Sequence, residues 1–297
     1  MAPAFLYCIG AAKAGTTWLS RALRAHPQAS LPPMKETHYF DSLENGTSIW
    51  ALDQLIRVRT EARKALSAAD GPAARKRATR RVEDMDRWIG LVGSQRRNDA
   101  LYQKLMLRGA GEKARVVADI TPAYATLKQA SFERMAGLND GDTRFLMILR
   151  DPVDRLWSNI SMTLARRATK GVEPNAARTA LMEEVQNGTS PEMARSDYAG
   201  TLARLETAVP EDKRLVLFFE ELFRPETLAR LTDFMGFDSP LNGPDEKVNA
   251  GSGTRMTPQE RSQLATLLRP QYEHIRNRMG WLPDRWQDTL QESMVTS

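Results

Sequence analysis

Phe5-Leu-Tyr-Cys-Ile-Gly10-Ala-Ala-Lys13-Ala-Gly15-Thr16-Thr17-Trp18-Leu19 begins with an apolar run, passes through a small-residue loop and resumes with a different periodicity. The first five residues have the unbroken hydrophobicity of a buried strand. Trp18, Leu19, Ala22 and Leu23 then fall on one face of a helix. A strand, a glycine loop and a helix in that order make an anion trap. The loop and first-turn N–H groups converge on one point, and the helix dipole favours negative charge there.

Gly10 and Gly15 have the two-glycine spacing of an ATP-binding P-loop. That motif requires a lysine directly after the second glycine and then a Ser or Thr for Mg²⁺. Here Thr16 holds the lysine position and Lys13 lies inside the loop. A phosphate or sulfate group, touched by Lys13 and by the hydroxyls of Thr16 and Thr17, is a more natural guest than a metal-bound triphosphate. The loop resembles the 5′-phosphosulfate loop of the sulfotransferases. Those enzymes move a sulfuryl group from 3′-phosphoadenosine 5′-phosphosulfate (PAPS) to an alcohol or amine and release the bisphosphate PAP. The resemblance implies that Lys13, Ala14, Gly15, Thr16, Thr17 and Trp18 hold the 5′ end of PAPS, with Lys13 also catalytic.

Two further stretches carry the same resemblance. Lys35-Glu36-Thr37-His38-Tyr39-Phe40 is similar to the Glu-x-His-Phe-Phe-like segment of the heparan sulfate type, with Tyr39 for one phenylalanine. The resemblance implies Glu36 as general base. His38 is the competing base, because its ordinary pKa is already close to neutrality. Arg150-Asp151-Pro152 follows the apolar run Phe145–Leu149, with Asp151 suited to cap a helix and Pro152 to begin it. Sulfotransferases place an arginine here, and a serine eight residues later, on the 3′-phosphate of the nucleotide; Arg150 and Ser158 match. Arginine suits that task because its planar fork pairs two oxygens at once. Ser196-Asp197-Tyr198 and Arg255 match weaker family positions near the adenosine and at the loop closing the pocket. Gly253-Thr254 replaces the Lys-Gly usual before that arginine, and Asp119-Ile120 departs from the Lys or Ser usual before the Thr-Pro-x-Tyr turn at Thr121–Tyr124.

The chain has 297 residues, a net charge of +5, one cysteine and three histidines. A lone Cys8 excludes an internal disulfide and a cysteine-rich metal site, and no metal is expected. No apolar run reaches membrane-spanning length and no signal peptide is evident, so the expected location is cytoplasmic. The positive balance favours anionic partners. Residues 50–112 are rich in arginine, and apolar residues recur there at helical spacing: Leu52, Leu55, Ile56, then Val82, Met85, Trp88, Ile89 and Val92. They predict a helical insertion, either a solvated charged face or a docking surface for an anionic acceptor.

The expectation is an α/β protein: a P-loop-like parallel sheet flanked by helices, forming one sulfotransferase domain over 1–297 with a basic helical insertion at about 50–112. Strands are expected at Phe5–Ile9, Ala29–Leu31, Ala114–Ala118, Arg144–Leu149 and Leu215–Phe219. The last long helix is expected to bury Leu264, Leu267, Leu268, Tyr272 and Ile275 behind a Thr257/Glu260 capping box. The expected reaction is metal-free transfer from PAPS to a hydroxyl, or less readily an amine, of a saccharide, an anionic acceptor or a small natural product. A P-loop ATP-dependent kinase and a non-catalytic nucleic-acid-binding module are the alternatives. The first would need Mg²⁺. The second would need a basic motif interleaved with aromatics, which the chain lacks, so no nucleic acid is expected.

Overall fold

The computed structural model describes residues 2–243 and 254–295. Its centre is β1 (Ala4–Gly10), all seven residues of which are buried. The chain continues through α1 (Thr16–Ala25), β2 (Ala29–Ser30), α2 (Tyr39–Glu44), α3 (Ser48–Ser67), α4 (Pro72–Gly93), α5 (Asp99–Leu107) and β3 (Val116–Ile120). Next come α6 (Gln129–Ala136), β4 (Thr143–Leu149), α7 (Pro152–Ala168), α8 (Pro174–Gln186), α9 (Pro191–Ala194) and α10 (Tyr198–Ala208). The chain then forms β5 (Arg214–Phe218), α11 (Pro225–Met235), α12 (Pro258–Met279) and α13 (Asp284–Val295).

The five strands lie in the order β2-β3-β1-β4-β5, and every neighbouring pair is parallel. Parallel pairing requires a crossover between strands, which the intervening helices supply. It also brings the carboxyl ends of β1, β3 and β4 to one edge of the sheet, where open α/β sheets bind ligands. Gly10 leads from that edge into the glycine loop, Ile120 into the Thr121–Tyr124 turn, and Leu149 into Arg150. The expected α/β architecture and all five expected strands are therefore present, with boundaries shifted by a few residues at most.

Helix ends obey local chemistry. The Asp151 side chain caps α7, accepting from the Asp154 N–H with Pro152 in the first turn. Thr257 and Glu260 make the expected capping box at α12. Gly236 and Gly280 end α11 and α12 in left-handed backbone. Ala51 and Leu55 on α3 join Met85, Trp88, Leu91 and Val92 on α4 in the core. Trp88 meets Tyr102 edge to face, and Tyr102 stacks on Tyr39, so the insertion is continuous with the main core.

Two expectations fail in detail. Ile56 is 47% exposed and Leu267 36% exposed, although both were expected inside. Each sits one helical step, about 100°, from a residue that is buried, Leu55 and Leu268, so the seam passes beside it. Trp281 stays 49% exposed while meeting Phe218 with one edge, whereas Trp286 is fully buried. Trp286 belongs to α13, a helix the sequence pattern did not announce. The expected loop from Asn249 to Pro258 lies partly outside the described residues. Among the described residues, no helix is long and apolar enough to cross a membrane.

Much of the insertion's charge is internally paired. Arg57 pairs with Asp53, Arg59 with Asp86, Lys64 with Glu61, Arg87 and Arg108 with Asp84, and Arg97 with Asp99. Such surface pairs contribute little stability, and they describe a solvated charged face.

The register of α12 gives a direct check. Leu268→Ala is expected to lower unfolding free energy by about 3 kcal/mol, as for a truncated core leucine. Leu267→Ala should cost under about 1 kcal/mol. Urea unfolding of the two variants measures both.

Candidate active site

The first half of the site is the loop after β1. Gly15 adopts φ 80°, and a Cβ there would lie 3.0 Å from the Phe219 ring. Only glycine meets both conditions without strain. Lys13 also has positive φ, at 72°. A side chain other than glycine rarely adopts that region, and strain of this kind gathers at functional positions. The Lys13 Nζ lies 3.5 Å from the Met162 sulfur on α7. Ser158, half-buried, stands one helical turn before Met162 and on the same face. The loop lysine and the expected 3′-phosphate serine therefore share one side of α7.

Arg150 completes this half. Its Nη1 donates to the Lys13 carbonyl at 2.8 Å, and its guanidinium lies over the Phe219 ring at 5.3 Å. The Tyr198 hydroxyl donates to the Arg150 carbonyl at 2.8 Å. Tyr198 is fully buried, so it supports Arg150 from behind, the core-packing role that its sequence position also allowed. Ser196 is likewise engaged inside. It contacts the buried Arg155 and donates to the Glu192 carbonyl at 3.0 Å. The Asp151 N–H donates to Glu220 at 2.9 Å and ties the end of β4 to the turn after β5.

Burial holds the Lys13 ammonium below its ordinary pKa, and the charges of Arg166, Arg150 and Lys35 push it further the same way. Among the described residues, Lys13, Arg150 and Arg166 have no carboxylate ion-pair partner. Cations at such proximity repel one another, and a bound polyanion would relieve that repulsion.

The second half is the segment leading into α2. The Lys35 Nζ donates to Thr16 Oγ1 at 3.2 Å and to Glu36 Oε1 at 2.9 Å. It joins the first turn of α1 to the candidate base. Glu36 Oε2 lies 3.2 Å from His38 Nε2, and His38 Nδ1 lies 2.9 Å from Asp41 Oδ2. The imidazole thus lies between two carboxylates. Burial opposes its charge, but the hydrogen bonds to Asp41 and Glu36 outweigh that and raise its pKa to about 9. For Glu36 burial favours the neutral acid, but the hydrogen bond from His38 and the charge of Lys35 prevail. Its pKa falls to about 2. The two flanking cations thus overcome the effect of burial.

Thr37, between these two residues, is fastened underneath. Its hydroxyl donates to Asp119 Oδ2 at 2.7 Å, and its N–H donates to Thr121 Oγ1 at 3.0 Å. Asp119 is fully buried and also accepts from the hydroxyls of Thr121, Tyr102 and Tyr124. Asp119, the departure noted at this turn, is therefore a buried anchor beneath the segment that carries Glu36 and His38.

Arg255 is exposed. Its carbonyl accepts from Arg178, and the neighbouring Thr254 carbonyl accepts from the Trp157 indole at 3.0 Å. The backbone at Thr254 and Arg255 is thus tied to Trp157 of α7 and Arg178 of α8. Sequence reasoning did not single out Asp41, Arg166 or Phe219. Asp41 stands three residues after His38 at the start of a helix, a spacing that could have revealed it. The other two reach the site only through folding.

The carboxyl edge of a parallel α/β sheet thus carries a glycine loop and a gathered set of cations. The chain belongs to the sulfotransferase family, whose family model matches residues 4–240. Among solved structures, a sulfotransferase from Alicyclobacillus acidocaldarius is similar at 21% identity and a TM-score of 0.59, covering 97% of this chain and 99% of that one. The sulfotransferase domain of the Synechococcus PCC 7002 olefin synthase matches at 18% identity and a TM-score of 0.47, covering 99% and 94%. No curated protein matches.

The His38 environment predicts a measurable titration. The ring should titrate by NMR near 9 instead of about 6.5. Glu36→Gln and Asp41→Asn should each move it downward by removing a carboxylate. Because the folded value is the raised one, the stability this ring contributes is complete below about pH 6.5 and is lost as pH rises through about 9. Relative to His38→Gln, the wild-type protein should therefore lose unfolding free energy across that interval.

Proposed function

We propose that the chain is a PAPS-dependent sulfotransferase acting on a hydroxyl of its acceptor. The observation that carries this reading is the meeting of Lys13, Lys35, Arg150 and Arg166 around the loop after β1, with Lys35 bridging Thr16 and Glu36. Family membership supports sulfuryl transfer in general. PAPS suits this arrangement because it bears anionic groups at both ends of its ribose. Gly15 leaves room at the cradle where a Cβ would collide with Phe219. Lys13, Gly15, Thr16 and Thr17 would hold the 5′ end, and Arg150 and Ser158 the 3′-phosphate. Ala14 and Trp18 would contribute backbone and packing to the cradle, and Arg255 would close it from the side of α7. When bound, PAPS supplies the sulfuryl group.

Lys13 and the first-turn N–H groups of α1 would neutralise charge growing on the departing phosphate oxygen, as preorganised donors do in other group transfers. Glu36 would accept the proton of the acceptor hydroxyl. In this structure Lys35 and His38 keep Glu36 a weak base. An anion in the loop competes with Glu36 for Lys35, and each step of Lys35 away from Glu36 strengthens the base. His38 then holds the carboxylate in place: both ring nitrogens face carboxylates and the ring is 2% exposed, so it offers no free lone pair. This ranks Glu36 above His38 as the base.

Transfer of labelled sulfate from PAPS, measured across a panel of alcohols, tests the reading. Lys13→Ala and Glu36→Gln should each lower kcat at least a hundredfold with the fold intact. Arg150→Ala should weaken PAP binding by about 2 kcal/mol, the scale of a charged hydrogen bond, and should lose the preference for PAP over nucleotide lacking the 3′-phosphate. Phosphate transfer from ATP with a Mg²⁺ requirement would instead identify a kinase, and retained activity in Glu36→Gln would remove the base assignment.

A further inference from the structure

Beyond Glu36, the site continues onto an uncharged face. The His38 ring, which touches Glu36, also meets Trp50 edge to face, with ring centroids 4.7 Å apart. Trp50 is 47% exposed and its neighbour Ile49 is 80% exposed. Both lie in the first turn of α3, whose opposite side buries Ser48, Ala51 and Leu55. Scattered exposed apolar residues are ordinary on a protein surface. Two adjoining ones, contiguous with a cluster of titratable groups, form a mixed surface of the kind that binds organic molecules.

We propose that Ile49 and Trp50 are the acceptor platform, and that the acceptor hydroxyl is carried on an apolar body, an aromatic ring or an alkyl chain. This rests on the reading of Glu36 as the base that receives the acceptor proton. The platform abuts His38, so a hydroxyl presented to Glu36 places the rest of its molecule over the indole. An indole face takes up apolar surface and planar rings well.

Charge placement argues against a polyanionic acceptor. Beyond the first turn of α3, the next charges on that helix are Asp53 and Arg57, and they pair with each other at 2.9 Å. The dense basic run Arg75-Lys76-Arg77 begins α4, whereas the far end of α4 packs by the platform: a Cβ on Gly93 would lie 3.4 Å from Leu52. At 1.5 Å per residue, that run lies roughly 25 Å along the helix from the Trp50 end. Arg80 and Arg81, nearer, each donate to a backbone carbonyl, of Arg108 and Pro33. At the platform end of α4, Arg97 pairs with Asp99 at 2.8 Å and Arg96 stands exposed. Among the described residues, the insertion therefore offers an acceptor at Glu36 apolar surface first, with a single uncommitted arginine near it and the basic run at a distance.

Calorimetry tests this with 2-naphthol and 1-hexanol as apolar alcohols and with glucose and a heparin disaccharide as saccharides. Each is titrated into the full chain with and without PAP. The apolar alcohols should bind wild-type protein at least tenfold more tightly than the saccharides. Trp50→Ala and Ile49→Asp should each weaken that binding at least tenfold, Trp50→Phe should retain most of it, and PAP affinity should stay the same in all three. Absence of binding by either apolar alcohol, stronger binding of the saccharides, or unchanged binding in Trp50→Ala would overturn the proposal. Failure of PAP itself to bind the folded wild-type chain would instead overturn the donor reading, whatever the alcohols do.

Discussion

Like charges do not gather inside a fold without a compensating force. Around the loop after β1, Lys13, Lys35, Arg150 and Arg166 are close enough to depress the ionisation of the lysine. What holds them together is backbone. Arg150 donates to the Lys13 carbonyl, and Tyr198, anchored in the core, donates to the Arg150 carbonyl. Their mutual repulsion is a cost that, on the proposed reading, a bound polyanion would offset. Ligand binding should accordingly raise stability by mass action. On the proposed reading, the cations would be in position before charge develops, the condition under which electrostatic stabilisation of a transition state is most effective.

The same economy of placement governs the other half of the site. Asp119 is a fully buried carboxyl group with no ion pair among the described residues, and four hydroxyls converge on it. Leaving any one of those groups unpaired would cost on the order of 1–3 kcal/mol, so the cluster is rigid. One of its members is Thr37, and through it the rigidity passes to Glu36 and His38 on either side. The positive φ of His38, 53°, belongs to this constraint. A conformation that a histidine seldom adopts persists because Thr37 is pinned below it and Asp41 fixes the ring.

The helical insertion shows why a charge count is a poor guide to a partner. Its arginines outnumber the acids in the sequence, yet many close ion pairs along α3, α4 and α5. What the insertion presents next to Glu36 and His38 is an indole and an isoleucine, set there by the turn that starts α3. Composition records the arginines; only the fold reveals that the part of the insertion beside His38 is an indole and an isoleucine.

Local physics made several features legible from residues alone. Continuous apolar runs announce buried strands, because parallel strands are covered on both faces. The glycine loop with its lysine announces an anion trap, and Asp151-Pro152, Thr257/Glu260 and Gly236 mark helix ends. Each of these depends on neighbours within a few positions along the chain. The exposure of Ile56 and Leu267, the last helix around Trp286, the burial of Tyr198 and the partnership of Lys35 with Thr16 all depend on which elements pack together. The ionisation of Glu36 depends on packing in the same way. Its sequence neighbours suggest a partly buried carboxylate, but its pKa is set by how His38 and Lys35 are turned toward it. Periodicity and turn chemistry act over a helical turn, so the sequence by itself determined the sheet, the cradle and the identity of the candidate groups. Electrostatics and burial act through space, so only the tertiary structure decided which groups meet, which are charged, and what surface lies beside them.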